Sequence, residues 1–186
     1  MAVLRESLSI EPLTCAARPL YGTLAAEMFV IAGAHFVVPD FAHVQDVGGS
    51  LLSVERQVRS TLQWVHDHAD TFGGDARRIF VTGHSSGAHL AGAMLTLIPE
   101  GTLCGAMLVS GMYELRAPQL SWRSSYVKFD GATEDTLSPQ RHIDKINVPL
   151  VVGYDTLETP EFQRQSREFA AAVKAAGKPV HTFVRG

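Results

Sequence analysis

The stretch IFVTGHSSGAHLA, residues 79–91, decides the fold of this chain. It opens with a short apolar run, Ile79 to Thr82, that is rich in β-branched and aromatic residues and predicts a strand ending at Gly83. This strand feeds directly into a helix that is predicted to begin near Ser86. We therefore expect a sharp strand-to-helix turn with Ser85 at its tip.

Ser85 lies at the centre of a G-x-S-x-G pattern formed by residues 83–87. Side chains beside so sharp a turn would clash, which is why glycines flank the serine. The turn would hold Ser85 at the carboxyl edge of a sheet, where its hydroxyl could attack an acyl carbon. The backbone N–H of Ser86, at the helix start, would stabilise the resulting oxyanion. Such a pattern also occurs by chance in turns that merely join elements, but the strand before it and the helix after it favour a nucleophile.

Helical and strand patterns alternate along most of the chain, with Gly, Pro or Asp between them. This alternation predicts an α/β fold, a mostly parallel sheet flanked by helices. No repeat or long linker divides the chain, so residues 1–186 are expected to form a single domain. The further helices are predicted at about 24–32, from a Ser50 cap through Val65, and at about 160–176; the further strands are predicted at 34–38, 104–109, 149–153 and 180–184.

A nucleophilic serine needs a base and an acid that orients the base. In folds with this turn the chain order is serine, acid, histidine. Asp155 and Glu158 both follow the predicted strand 149–153 and precede a helix, so either carboxylate could lie beside Ser85. The sequence pattern alone leaves both open as the acid.

The histidine is expected just after the final strand, 180–184, and none stands there. His181 lies inside that strand, where it points to one face of the sheet. His84 and His89 are close to Ser85 in sequence, but packing or hydrogen bonding explains them better. The general base is therefore not assigned to any residue of the chain.

Composition narrows the classes of partner. The 186 residues are 46% hydrophobic and carry a formal net charge of −3, which gives no basic excess to bind nucleic acid or an anionic membrane. The apolar runs are far shorter than the roughly 20 residues that span a bilayer. Charged residues within Met1 to Thr14 break up any secretory signal, and Cys15 and Cys104 lack a metal or disulfide pattern, so a cytoplasmic setting is expected.

Other candidate sites receive structural interpretations. The run His66-Asp67-His68 could suggest a metal site, but adjacent helical residues face different ways, so we predict a solvated helix end. Trp64 lies near an apolar stripe and is predicted to belong to the core. The glycine pairs at 48–49 and 73–74 lack the spacing of a nucleotide-binding loop. No metal or other cofactor is expected.

Several segments together resemble a known family. They are FGGD at 72–75, GHSSGAHLA at 83–91, SGMYEL at 110–115, LSP at 137–139 and ETPEFQRQS at 158–166. From about residue 24 onward the chain resembles the α/β-hydrolase fold, and within it the kynurenine formamidase (arylformamidase) and hormone-sensitive-lipase-like esterase group. The resemblance implies hydrolysis of N-formylkynurenine or of small aryl and acyl esters, without a metal or organic cofactor.

The resemblance also bears on the acid. In similar formamidases the acid stands two residues before the proline of the Pro-Glu-Phe segment, which here is Glu158. Glutamate replaces the more usual aspartate at that position, so Asp155 stays the alternative.

The chain departs from the family pattern in two places. A His-Gly-Gly segment that completes the oxyanion hole in such enzymes has no match in Met1 to Thr23. The family's histidine is expected a few residues past Gly186, so the chain is interpreted as truncated at both ends. An exposed sheet edge where N-terminal strands should pair would then favour a homo-oligomer.

Two hypotheses follow from these observations. The first is a serine acyl hydrolase that acts on a small-molecule formamide or ester. The second is a truncated, non-catalytic α/β-hydrolase-like module that acts in binding or assembly.

Overall fold

A computed structural model describes residues 26–186, and its centre is a parallel sheet. Within these residues the sheet has four strands, in the order β1-β2-β3-β4. All neighbouring strands pair in parallel, which confirms the predicted α/β class. The strands are β1 (Phe80–His84), β2 (Gly105–Val109), β3 (Leu150–Asp155) and β4 (Val180–Arg185).

Helices and short 3₁₀ turns connect the strands. The helices are α1 (Ala26–Ile31), α2 (Leu51–His68), α3 (Ser86–Leu97), α4 (Arg116–Gln119), α5 (Gly131–Thr136) and α6 (Pro160–Ala175). The 3₁₀ turns are Ala69–Phe72, Ala76–Arg78, Trp122–Ser125, Pro139–Arg141 and Ile143–Lys145. The helices predicted after Ser50, near Ser86 and from Pro160 are confirmed to within about two residues at most ends.

The start of α2 shows how the local sequence sets an element. Ser50 is the N-cap, and its side-chain oxygen accepts a hydrogen bond from the backbone N–H of Ser53 at 3.2 Å. This bond satisfies one of the N–H groups that a helix start leaves without an intrahelical acceptor. The predicted apolar stripe is buried, and it comprises Leu51, Val54, Val58, Leu62 and Val65.

The core lies between the sheet and two long helices. Helix α3 packs against β1 and β2, and α6 packs against β3 and β4. Val81, Leu108 and Val152 from the strands, and Phe169 from α6, are almost completely buried. Burial of each such side chain contributes roughly 1.5–3 kcal/mol, so the sheet is a firm base for the residues at its carboxyl edge.

The strand predicted at 34–38 is wrong. In this segment Val37 forms an isolated β-bridge, and residues 34–38 form no continuous ladder within the described part of the chain. A strand is stabilised by a neighbour that pairs with it along its length, and the apolar pattern does not show whether that neighbour exists. Helix α1 covers most of the helix predicted at about 24–32, whose first two residues lie outside the described part of the chain.

Trp64 is also placed differently from the prediction. It is 52% exposed and stacks on His68, with ring centroids 4.8 Å apart, rather than lying in the core. The neighbouring Val65 takes the buried position instead. Among residues 26–186, none of the helices has both the length and the apolar character needed to cross a membrane.

Candidate active site

The turn between β1 and α3 has the sharp geometry that the sequence predicts. Ser85 has φ 56° and ψ −120°, a conformation that side-chain-bearing residues rarely adopt. Such a conformation costs of order 1–3 kcal/mol and persists only where the surroundings enforce it. Here the N–H of Ser85 donates to the carbonyl oxygen of Val109 at 2.9 Å, which fixes the turn to the end of β2.

Gly83 makes this turn sterically possible. A Cβ at residue 83 would lie 2.2 Å from the backbone carbon and oxygen of Gly87. Contacts that short do not occur between nonbonded atoms, so any side chain would force β1 and α3 apart. The requirement for glycine before the serine is therefore a direct packing requirement.

Ser86 begins helix α3 and is buried. Its backbone N–H lies at the positive end of the helix macrodipole, beside the tip of the turn. A negative charge that forms on an oxygen near Ser85 would be stabilised at this position. The geometry is consistent with the predicted backbone role of Ser86.

Glu158 stands on the loop between β3 and α6, at the same edge of the sheet. Its Oε1 accepts a hydrogen bond from the hydroxyl of Ser110, which directly follows Val109 at the end of β2. Ser110 is buried and also has φ 56°. The backbone of residues 109–110 thus links the turn that carries Ser85 to the carboxylate of Glu158.

The second oxygen of Glu158 is the more informative one. Oε2 is buried and has no hydrogen-bond partner among the residues that the structure describes. A buried carboxylate oxygen without a donor costs more free energy than one that is satisfied, so an incoming N–H group would be bound favourably here. This is the condition expected of an acid that orients an imidazole.

Asp155, the alternative acid, is engaged locally. It is the last residue of β3 rather than a loop residue after the strand. Its Oδ1 accepts from the N–H of Leu157 at 2.8 Å, and its Oδ2 lies 3.8 Å from Nε of Arg185. Both oxygens of Asp155 therefore already interact with neighbours in the chain.

Gln165 braces the segment that follows β2. Its Oε1 accepts hydrogen bonds from the N–H groups of Tyr113 at 2.6 Å and Glu114 at 2.9 Å. Its Nε2 donates to Glu161 at 2.9 Å in the first turn of α6. Gln165 is 3% exposed, so these bonds are shielded from water and tie the 110–115 segment to the helix that follows Glu158.

Ser110 and Gln165 were not identified from the sequence. Both lie within the segments that resemble the family, SGMYEL and ETPEFQRQS, so a signal at these positions was present. Their roles depend on contacts between residues about fifty positions apart, which no local pattern encodes.

The three histidines considered from the sequence, His84, His89 and His181, have other contacts or positions. His89 is 2% exposed, and its ring Nε2 lies 2.7 Å from the carbonyl oxygen of Leu137. Nε2 must carry the proton there, and burial lowers the pKa of His89, so the ring is held neutral. This confirms the hydrogen-bonding interpretation of His89. His181 is exposed on β4, where its backbone pairs with Val151, and His84 is exposed at the end of β1.

A small cavity of about 40 Å³ adjoins the start of α3. Its lining is almost entirely apolar and comes from three places: α2 and the residues before it, α3, and the segment between β2 and α5. The lining residues are Ala42, Val44, Leu51, Val54, Ser86, His89, Leu90, Met112, Leu115, Pro118, Arg123, Tyr126, Val127 and Phe129.

Sequence comparisons match this part of the chain to known hydrolases. The model of the carboxylesterase family matches residues 57–116, which include the whole turn around Ser85. The kynurenine formamidase of Danio rerio is 28% identical over 141 residues, which are 69% of this chain and 46% of that protein. The kynurenine formamidase of Salmo salar is 30% identical over 112 residues, or 52% of this chain and 36% of the relative. The chain thus spans less than half the length of these curated relatives.

Solved esterases share the architecture. Carboxyl esterase 2 of the fungus Tuber melanosporum superposes with a TM-score of 0.80 at 14% identity, over 99% of this chain and 66% of that one. A thermostable esterase of Pseudomonas putida superposes with a TM-score of 0.76 at 17% identity, over 99% and 63% of the two chains. At these identities the likeness shows a common fold.

Proposed function

We propose that the chain is a serine acyl hydrolase that cleaves a formamide or a small carboxylic ester. The matches to the carboxylesterase family model and to two kynurenine formamidases, and the fold shared with solved esterases, support this proposal. The observation that carries the proposal is the strained turn at Ser85, joined through Val109 and Ser110 to the half-satisfied carboxylate of Glu158. A serine keeps a strained backbone conformation only where the surrounding structure enforces it. At Ser85 this conformation places the hydroxyl group at the edge of the sheet.

In the proposed reaction the hydroxyl oxygen of Ser85 attacks the carbonyl carbon of the substrate. Its proton passes to a histidine base, and the carbonyl oxygen becomes an oxyanion beside the N–H of Ser86. Collapse of this intermediate breaks the bond to the amine or alcohol, which leaves with the proton from the histidine. Water then attacks the acyl-Ser85 ester by the same route and releases the carboxylic acid.

Glu158 is proposed to orient the base, with Oε2 accepting an imidazole N–H. We propose that this histidine lies outside the 186 residues, because the positions of His84, His89 and His181 support none of these three as the base. His89 is the clearest case, since its ring Nε2 already donates to the carbonyl of Leu137.

Covalent labelling tests the nucleophile. The full chain is incubated with a fluorophosphonate probe, and the labelled residue is identified by mass spectrometry. Labelling at Ser85 that is slow in buffer and rises with added imidazole, lost in Ser85→Ala and retained in Ser124→Ala, is the expected result. Ser124 is a suitable control because it is exposed, with its hydroxyl bonded only to the carbonyl of Ser121 among the described residues.

Added imidazole tests the base. If the chain supplies all of the machinery except the histidine, imidazole in solution should accelerate hydrolysis of 4-nitrophenyl acetate beyond its own background rate. The extra rate should vanish in Ser85→Ala, which measures the background directly. A folded chain that is neither labelled nor accelerated would instead support the non-catalytic binding or assembly module.

A further inference from the structure

The connections between the strands cover one face of the sheet. Each strand lies beside the strand that precedes it, so the crossovers from β1 to β4 all advance in the same direction. Crossovers between parallel strands are right-handed, and those that advance in one direction lie on the same face of the sheet. Helices α3 and α6 pack there. The connections from β1 to β4 therefore leave the opposite face without a helix.

Gly83 identifies which side chains point away from the helices. A Cβ at Gly83 would meet the backbone of Gly87 in α3, so residues in register with Gly83 face the helices and their neighbours along each strand face the other way. We call this other side the open face. It consists of Phe80, Thr82 and His84 on β1, Gly105, Met107 and Val109 on β2, Val151, Gly153 and Asp155 on β3, and His181, Phe183 and Arg185 on β4.

The centre of the open face is apolar and yet exposed. Met107, in the middle of β2, is 39% exposed, and Phe80 is 37% exposed. Val109, Val151 and Phe183 are partly exposed. Sheets in which all strands are parallel occur almost only with both faces covered, because their strands are apolar on both sides. The open face therefore has the character of a contact surface rather than of a solvated one.

The relief of the open face is complementary to itself. The Phe80 ring lies across Gly105 at the amino ends of β1 and β2, and the Phe183 ring lies across Gly153 near the carboxyl ends of β3 and β4. A two-fold axis parallel to the strands places β1 over β4 of a second copy and keeps the amino ends together. Each ring then meets an end of the second copy that has no ring, so two copies can pack closely.

The charges of the open face do not oppose such a pair. Asp155 and Arg185 are its carboxylate and its guanidinium, and their side chains lie 3.8 Å apart at the carboxyl ends of β3 and β4. Their charges cancel, and both lie away from Met107 and Val151 at the centre. An apolar centre with polar groups at its margin is the usual arrangement of a protein interface.

The area of the open face sets the strength of the contact. Four strands that are about 4.8 Å apart and five to six residues long cover roughly 350 Å². Two copies would therefore bury about 700 Å² in flat projection, and the relief of the side chains adds to this area. Such an area is at the small, transient end of specific interfaces.

We propose that the open face is the contact between two copies of this chain, which pack as a two-layered sheet with β2 of one copy over β3 of the other. Met107 of each copy then packs on Val151 of the other. The sequence predicts association through a sheet edge, whereas these exposed side chains assign it to a sheet face. The proposal goes beyond the hydrolase function and does not depend on it, because Ser85 and Glu158 lie outside the open face.

Sedimentation velocity of the 186-residue chain tests the contact. Between 1 and 200 µM the mass should rise from one chain towards two, with a dissociation constant of about 10–100 µM, as a small apolar interface allows. Met107→Lys should weaken association at least tenfold, because it places a charge on the apolar centre. Leu120→Lys is the matched control: Leu120 is 74% exposed but lies outside the sheet, so this variant should associate like the unsubstituted chain.

Mixing two variants tests whether the partner is a second copy. Met107→Glu should also be monomeric by itself, whereas a mixture of Met107→Glu and Met107→Lys should form a mixed dimer, because the opposite charges lie near each other across the two-fold axis. A different partner protein would not give this result. Urea unfolding curves establish that each variant is folded.

Three results would overturn the proposal: a chain that is monomeric at 200 µM, a dimer that persists in Met107→Lys, or equal loss of association in Met107→Lys and Leu120→Lys. Oxidation by hydrogen peroxide then shows what occupies the face of a monomer, with Met28, which is 70% exposed, as the internal reference. If Met107 resists oxidation while Met28 reacts, the chain's own residues cover the face. If both react alike, the face is free for a different partner.

Discussion

The turn around Ser85 and the region around Glu158 lie at the same edge of the sheet but are held in different ways. The turn is enforced by neighbours in sequence, with Gly83 packed directly on Gly87. The carboxylate is positioned by Ser110, 48 residues away, and the segment containing Ser110 is braced by Gln165. The geometry at Ser85 is therefore encoded by residues close in sequence, whereas the position of Glu158 depends on contacts between residues far apart in sequence.

The two regions share one unusual feature. Ser85 and Ser110 are the two residues other than glycine with positive φ in the described part of the chain, and both have φ 56°. They follow adjacent strands, and the hydrogen bond from Ser85 to Val109 joins their turns. Strain is therefore concentrated at one point of the sheet edge, where the proposed chemistry takes place.

The largest expected effect is a difference in activity between substitutions of the two carboxylates, Glu158 and Asp155. Glu158→Gln should lower the imidazole-dependent kcat/KM for 4-nitrophenyl acetate by about 10³–10⁴-fold, because the amide no longer stabilises an imidazolium. Asp155→Asn should change it by less than about threefold, since that carboxylate interacts with Leu157 and Arg185. The reverse ranking would make Asp155 the acid.

Gly83→Ala should break the locally encoded region. The new methyl group would overlap the backbone of Gly87, so we expect a loss of more than about 3 kcal/mol in the free energy of unfolding. Urea denaturation measures it. Gly131→Ala is the control, because a Cβ there meets no atom within 4 Å, and it should be neutral or slightly stabilising. Equal effects of the two substitutions would contradict a steric role for Gly83.

Gln165→Met tests the region that depends on distant contacts. The substitution keeps the volume but leaves the N–H groups of Tyr113 and Glu114 without their acceptor, so about 2–3 kcal/mol of unfolding free energy should be lost. Gln63→Met, on the exposed face of α2, should cost less than about 0.5 kcal/mol. If urea denaturation shows an equally small loss of unfolding free energy for Gln165→Met, the hydrogen bonds of Gln165 contribute little to stability.

The smallest expected effect is a pH dependence of the unfolding free energy, which involves Glu114, whose N–H donates to Gln165. Burial has the largest single effect on the pKa of Glu114 and raises it. Hydrogen bonds from Arg141, the N–H of Arg116 and Ser138, together with the charge of Arg141, outweigh burial, so the pKa lies below its usual 4.5. A depressed carboxyl pKa stabilises the fold above pH 4.5, and this contribution is lost as the pH falls through the lower, folded-state value.

Arg141→Met should therefore cost about 1 kcal/mol at pH 7, since the ion pairs of Arg141 with Glu114 and Glu134 are partly exposed, and the difference from the unsubstituted protein should shrink below pH 4. Urea denaturation at a series of pH values follows the difference. A constant difference from pH 3 to pH 7 would show that Glu114 is not the group involved.

The sequence predicted the locally encoded region well. Strand, turn and helix around Ser85 were all expected from residues 79–91, because the steric requirement for glycine and the position of the serine lie within five residues. It left Asp155 and Glu158 undecided, because both follow the strand predicted at 149–153. The structure distinguishes their surroundings through Ser110, whose partner is not visible in any local pattern.

The wrong predictions for residues 34–38 and for Trp64 also arise from contacts that a local pattern does not show. The segment 34–38 has the composition of a strand, yet a strand also needs a neighbour along its length, and here only Val37 is bridged. Trp64 stands beside Val65 at the margin of the α2 stripe, where a rotation of one residue decides between the core and the exposed face. Both outcomes depend on tertiary contacts.

The strand order has a consequence for synthesis of the chain. Each strand lies beside the one made just before it, so Phe80 pairs with Gly105, Ala106 with Leu150 and Leu150 with Val180. The sheet can therefore grow strand by strand as the polypeptide leaves the ribosome, without waiting for the carboxyl terminus. The bond between Ser85 and Val109 can close first, and the nascent protein would hold its strained serine turn before Glu158 has been translated.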